Sequence, residues 1–271
     1  MENIKAAVNL HELKKHMPDD IEVRNELMRK DGESDLEWRN RIQHERELKY
    51  TKILERKKVR GFLRRYSYYN EQGVLKHTFK QVELTSDSTK EIATHIKQLA
   101  DDYKHGQIFN MVLQGEPGTG KSMLASCLLN DVNNNADPAM KCMYLSATLF
   151  RRLAMEQNRD MDNRDDKLNK EITLDNLMKH VAEADLLVLD DLGSETSMQV
   201  QNIKPANETM QKALFDLADS RQGKSTIITT NYSSDDLKAM YNPKIIDRIF
   251  TANKDHVAKF DGIPSYRMLH N

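Results

Sequence analysis

Three of the ten glycines in this chain, Gly115, Gly118 and Gly120, fall within six residues of one another. They belong to the run Gly115-Glu116-Pro117-Gly118-Thr119-Gly120-Lys121-Ser122, which fits the spacing G-x-x-x-x-G-K-[ST] without a mismatch. Glycines open backbone conformations that a side chain forbids, so successive N–H groups can converge on one anion. An apolar stretch, Phe109–Leu113, precedes the run, and a helix is predicted from Lys121 to about Asn130. The positive end of that helix then faces the same anion. The pattern predicts a phosphate-binding loop built from all eight residues 115–122, with Lys121 reaching the β- and γ-phosphates and the Ser122 hydroxyl ligating magnesium. A glycine-rich turn that matches by chance is the competing reading, and the strand before and helix after weigh against it.

The remaining chemistry-bearing residues sit at the ends of apolar runs. Leu186-Leu187-Val188-Leu189 reads as a strand buried on both faces, and Asp190-Asp191 follow it at the edge where open α/β sheets bind ligands. Asp190 is expected to hold magnesium through water, and Asp191 to orient the attacking water. Many ATPases place Glu at the second position; Asp reaches about one bond less far, which points to slow hydrolysis or help from Glu195. Thr226–Thr230 reads as another strand, ending in Asn231, whose amide is suited to holding the same water; an Asx turn before Ser233 is the bland alternative. Arg248 and Arg267 are candidates to fork phosphate oxygens in the transition state, against the simpler role of a surface ion pair. Further strands are expected at Cys142–Leu145 and His256–Phe260, with helices at Leu149–Glu156, Leu174–Ala184, Thr209–Ser220, Ser234–Met240 and Lys244–Thr251. Strands alternating with helices make a parallel α/β sheet.

Charge divides the chain near residue 80. Residues 1–80 hold 19 Lys/Arg and 14 Asp/Glu, a net +5; since the whole chain carries -1, the remainder carries -6. The basic excess lies in residues 46–65, interleaved further on with Tyr66, Tyr68 and Tyr69. Such a run suits single-stranded nucleic acid, or equally a solvated helix whose tyrosines pack on the core, and the second reading is slightly favoured. Leu10, Leu13 and Met17, then Trp38 and Ile42, recur at helical spacing in a polar background, predicting two or three narrow-striped helices that bundle or dock on a partner. No apolar run approaches 18 residues and the N-terminus lacks a signal-peptide core, so a soluble cytoplasmic protein with no membrane contact is expected. Cys127 and Cys142 form neither a CxxC site nor a disulfide framework.

Taken in order, GEPGTGKS, LLVLDDLGSE, IITTNY, IIDRI and GIPSYR resemble the AAA+ replicative helicase loaders of the DnaC/DnaI family, with the IstB transposition ATPases as close relatives. The resemblance spans about residues 75–267. It implies an AAA+ P-loop NTPase core of α/β class with a parallel sheet (76–271), behind a small α-helical helicase-binding domain and basic linker (1–75). It implies ATP and Mg2+ as cofactors, Asn231 as sensor 1, Arg248 as an arginine finger completing a neighbouring subunit's site, and Arg267 as the sensor 2 arginine. With Asn271 four residues past Arg267, no C-terminal lid domain is expected. The partners implied are a DnaB-type hexameric helicase, single-stranded DNA (near Arg151 and Arg152), and further copies of the chain in an ATP-dependent oligomer, in a bacterial or phage-encoded protein acting at the nucleoid. Some DnaI-type members carry a zinc cluster in the N-terminal segment; this one has no cysteine there. The alternatives are an IstB-like ATPase that delivers DNA to a transposase, and an ATP-gated adaptor with little hydrolysis.

Overall fold

Successive residues of a strand point to opposite faces, and here they feed two separate apolar layers. On β2 (Cys142–Ser146), Met143 and Leu145 enter one layer while Cys142 and Tyr144 enter the other. On β3 (Leu186–Leu192) the split is Leu187 and Leu189 against Leu186 and Val188. A sheet apolar on both faces must be covered on both, and the result is a three-layer α/β/α unit. The computed structural model describes residues 30–83, 86–157, 173–194, 203–250 and 253–265. The helix expected around Leu10, Leu13 and Met17, most of the charged stretch 157–171, Glu195 and Arg267 lie outside these residues.

The other strands are β1 (Met111–Gln114), β4 (Ser225–Thr230) and β5 (Val257–Lys259). Among the described residues the sheet runs β2-β3-β4-β1-β5, with every pairing parallel. Parallel neighbours need crossovers. These are made by helices α3 (Lys121–Asn135), α4 (Ala147–Gln157), α5 (Leu174–Glu183), α6 (Glu208–Ser220), α7 (Ser234–Met240) and α8 (Pro243–Ile249). The expected strands and helices recur with ends shifted by a few residues. One helix escaped the sequence reading: α2 (Asp87–Lys104), capped by Ser86, whose hydroxyl accepts the Thr89 N–H at 3.1 Å. Its buried stripe Ala93, Ile96, Leu99, Ala100 and Tyr103 packs in the same layer as α3. That period was legible, but twelve of its eighteen residues are polar or charged and diluted it.

Two compact units divide between Glu55 and Arg56, within helix α1 (Asp35–Tyr66). In the first unit, Ser34 and Glu37 bond reciprocally at the helix start: the Ser34 N–H donates to Glu37 Oε2 at 3.0 Å and Ser34 Oγ accepts the Glu37 N–H. Arg41 pairs with Glu33 at 2.8 Å, and Ile42 is buried, whereas Leu36, Leu48, Tyr50, Ile53 and Leu54 are exposed. In the second unit, Phe62, Leu63 and Val74 are core residues, one in the α4–α6 layer and two in the α2–α3 layer. Tyr66 and Tyr68 pack against that core, whereas Tyr69 is exposed.

The chain after α1 then covers the edge of the sheet. Tyr68 N–H donates to Tyr144 O and Ser146 N–H to Tyr68 O, both at 2.8 Å, forming a parallel bridge on β2. An exposed edge strand invites unwanted pairing, and this strap occupies it. A second unanticipated residue, Arg221, is 4% exposed at the turn after α6. Its guanidinium donates to Val181 O (2.7 Å), Ala184 O (3.0 Å), Ser225 O and Thr226 Oγ1 (2.8 Å), tying the end of α5 to the start of β4. Burial lowers its pKa to about 10.

Candidate nucleotide site

The C-terminal ends of β2, β3 and β4 and the N-terminus of α3 open on one cavity of about 640 Å³, within the usual range for small-ligand sites. Its floor is the predicted phosphate loop. At Gly115 a Cβ would come 2.6 Å from Phe260 Cβ, so only glycine lets the loop lie this close to the end of β5. Gly120, with φ +94°, caps α3 in a left-handed conformation that turns the loop into the helix. Thr119 Oγ1 donates to Glu116 O at 2.8 Å and stiffens the loop from within.

Lys121 begins α3 and is only 6% exposed. Its ammonium donates to Glu116 O at 2.6 Å and more weakly to Thr119 Oγ1 at 3.4 Å, partners that are both uncharged. Burial lowers its pKa to about 8, opposed by the charges of Asp191, Asp190 and Glu116. A desolvated cation whose hydrogen bonds go only to uncharged oxygens is poised for an anionic ligand.

The two acids reach the cavity together because β3 is broken. Leu189 pairs with Ile228 and Leu192 with Thr230, so three steps on β3 oppose two on β4. The extra residue makes a β-bulge, and Asp191 takes φ 59° within it. In a regular strand Asp190 and Asp191 would face opposite sides; with the bulge both line the cavity. Thr229 bridges them: its hydroxyl donates to Asp190 Oδ1 at 2.6 Å and accepts the Asp191 N–H at 2.8 Å. Asp191 Oδ1 in turn accepts from Asn231 Nδ2 at 2.9 Å and from Ser194 Oγ at 2.7 Å. The sequence reading had Asp190, Asp191 and Asn231; it missed Thr229 and Ser194, whose roles depend on the bulge.

Ser122, Asp190 and Tyr144 also meet here. Burial, then the Asp190 charge, pushes the Tyr144 hydroxyl well above its ordinary pKa. Arg248 lies elsewhere on the unit. Its guanidinium stacks on Phe215 at 4.3 Å and pairs with Asp219 at 3.3 Å, both on α6, and it is not among the residues lining the cavity. Arg151 and Arg152 are exposed on α4.

The residues present fit a magnesium nucleotide: a glycine cradle, a buried ammonium, and an all-oxygen set of Ser122 hydroxyl and Asp190 carboxylate suited to a hard cation. A parallel sheet with a phosphate loop after β1 and two acids at the end of β3 defines a P-loop ATPase. Comparison sharpens the class: the model of the ATPase family associated with various cellular activities (AAA) matches residues 111–253, and the chain belongs to that family. Among curated proteins it is similar to the replicative helicase loader DnaI of Bacillus subtilis (strain 168), 23% identical over 188 residues, covering 69% of this chain and 53% of DnaI. It is also similar to the replicative helicase loader DnaC of Buchnera aphidicola subsp. Acyrthosiphon pisum (strain APS), 22% identical over 176 residues, covering 65% of this chain and 64% of DnaC. The chain thus spans about half the length of DnaI. Its fold is shared with the crystal structure of the DnaC helicase loader (TM-score 0.51, 19% identity, 70% of this chain and 99% of that one). The crystal structure of DnaI is comparable (TM-score 0.50, 16% identity, 73% and 95%). Among the described residues no helix is long and apolar enough to cross a membrane.

Proposed function

We propose that this protein is an ATP-dependent loader that places a hexameric replicative DNA helicase on single-stranded DNA. The observation that carries the reading is the gathering of Lys121, Asp190, Asp191 and Asn231 around one cavity, in a chain whose relatives are named replicative helicase loaders. Residues 115–122 bind the ATP phosphates, with Lys121 on the β- and γ-phosphates and Ser122 and Asp190 on the magnesium side. Magnesium, when bound, neutralises charge on the phosphate oxygens. Asp191 orients the attacking water, and its bonds to Asn231 and Ser194 fix the carboxylate's direction. Since an Asp so held extends less far than a Glu, unstimulated hydrolysis is slow, and DNA or partner binding accelerates it. Arg248 acts on a neighbouring subunit of an ATP-dependent oligomer, and Arg267 is the second arginine of the site.

Helicase binding belongs to the N-terminal part. The division proposed near residue 75 is drawn more narrowly here, before Arg56, because Phe62, Leu63 and Val74 serve the ATPase core. The exposed Leu48, Tyr50, Ile53 and Leu54 supply the apolar anchors that interfaces commonly use. The test is to mix the full chain with the replicative helicase of its host, with and without ATP, and measure the mass of the complex. A defined helicase–loader complex that requires the N-terminal residues is expected. Failure to form one in any nucleotide state would remove the loader reading and leave an ATPase of another role.

A further inference from the structure

Every polar group of Tyr144 is partnered except one. Its N–H donates to Ser67 Oγ at 2.9 Å, and its carbonyl accepts the Tyr68 N–H at 2.8 Å. The ring belongs to the apolar layer under α3, with the Tyr69 ring edge-on at 6.4 Å. The residue is 1% exposed. Its hydroxyl is buried with no hydrogen-bond partner in the protein, and the residue lines the cavity together with Asp190 and Ser122.

A buried hydroxyl without a partner costs about 1–3 kcal/mol, and folded proteins seldom tolerate one. The strap Ser67–Tyr69 and the strand pairing hold the backbone of this residue in place. Its neighbours identify the missing partner. A serine hydroxyl and a carboxylate are oxygen ligands for a small hard cation, and such a cation keeps several of its waters when bound. A shell water carries two hydrogens and needs acceptors; a phenol oxygen offers one.

Resting on the reading of this cavity as a magnesium-nucleotide site, we infer that Tyr144 is a positioning residue for the hydrated divalent cation, its hydroxyl fixing a shell water between Ser122 and Asp190. The phenol touches no phosphate in this arrangement. Its contribution is therefore confined to the cation-dependent part of nucleotide affinity.

The experiment uses the full chain and its Tyr144→Phe, Ser122→Ala and Lys121→Ala variants, titrated with a fluorescent ATP analogue in Mg2+ and in EDTA. Thermal unfolding without nucleotide is followed in parallel. For Tyr144→Phe the EDTA affinity should stay within about twofold of the parent, while the gain on adding Mg2+ falls roughly five- to tenfold, the scale of one ordinary hydrogen bond lost. Its unfolding midpoint should equal or exceed the parent's, since the hydroxyl removed has no partner in the protein. A full Mg2+ gain in Tyr144→Phe, an equal loss with Mg2+ and EDTA, or a lowered midpoint each overturns the inference; the second would put the hydroxyl on phosphate and the third would make it structural. Lys121→Ala separates this from failure of the underlying reading. If that variant binds as the parent does, the nucleotide site itself is misassigned; if it loses binding while Tyr144→Phe keeps the whole Mg2+ gain, only the tyrosine's role falls.

Discussion

Thr229 Oγ1 donates to Asp190 Oδ1 at 2.6 Å while accepting the Asp191 N–H, so one buried hydroxyl on β4 holds both acids of β3. The bulge that turns the two carboxylates to one side depends on this bridge, because the displaced Asp191 N–H has lost its regular ladder partner. Thr229→Val keeps the shape and removes the bridge. We expect a loss of about 1–3 kcal/mol in denaturant unfolding, from the amide left unpaired. ATP binding should change little, and turnover should fall at least tenfold as the carboxylates lose their mutual geometry. Wild-type turnover in this variant would show that the bridge is dispensable.

Lys121→Ala removes the ammonium that faces the phosphates, and nucleotide affinity should weaken more than tenfold, about 1.4 kcal/mol, by calorimetry. The pH dependence follows from burial, which lowers the Lys121 pKa to about 8 in the free protein. Phosphate charge favours the protonated form, so binding takes up a proton above that value. Affinity should be flat below about pH 8 and decline as pH rises beyond it. Because the folded pKa is depressed below the ordinary 10.5, the unfolded chain holds more protons between about 8 and 10.5. The contribution of this lysine to the stability of the nucleotide-free protein therefore rises with pH across that window. Affinity that stays constant from pH 7 to 9.5 would contradict the phosphate role.

Arg248 rests on Phe215 and Asp219 rather than in the cavity of its own chain. The pair with Asp219 is the simpler role that the residue type allows, and action on a neighbouring subunit is a proposal to be tested apart from it. Arg248→Ala should leave ATP binding intact and abolish stimulated hydrolysis. Mixed with Lys121→Ala, it should regain part of the activity, because the intact finger of one variant then meets the intact cradle of the other. If the mixture stays inactive while both variants still assemble, action in trans is excluded.

Arg221 tests the fold separately from the chemistry. Its guanidinium answers carbonyls at the end of α5 and the start of β4 that have no route to water. Arg221→Met fills the volume without the donors, and unfolding should show a loss of about 3 kcal/mol or more, the sum of several unpaired acceptors. Nucleotide affinity in the folded fraction should not change. A variant as stable as the parent would mean that water replaces the guanidinium.

Local pattern was enough to make the phosphate loop legible in the sequence, because its chemistry belongs to consecutive backbone groups: Gly115, Gly120 and Lys121 do their work within eight residues. The apolar runs Leu186–Leu189 and Thr226–Thr230 likewise identified buried parallel strands, and their ends located Asp190, Asp191 and Asn231. What tertiary structure alone decided is where unlike segments meet. The strand order puts β4 beside β3, and only then can Thr229 bridge the two acids and Asn231 reach Asp191. The bulge is a mismatch between two strands 38 residues apart, a quantity neither strand encodes by itself. Tyr144 reads in the sequence as an ordinary core aromatic; the strap after α1 holds its backbone, and its hydroxyl acquires meaning from the cavity it shares with Ser122 of α3 and Asp190 of β3. Short-range conformational preference is written residue by residue, whereas a site assembled at a sheet edge depends on pairing and register, which are settled by the burial of the whole core.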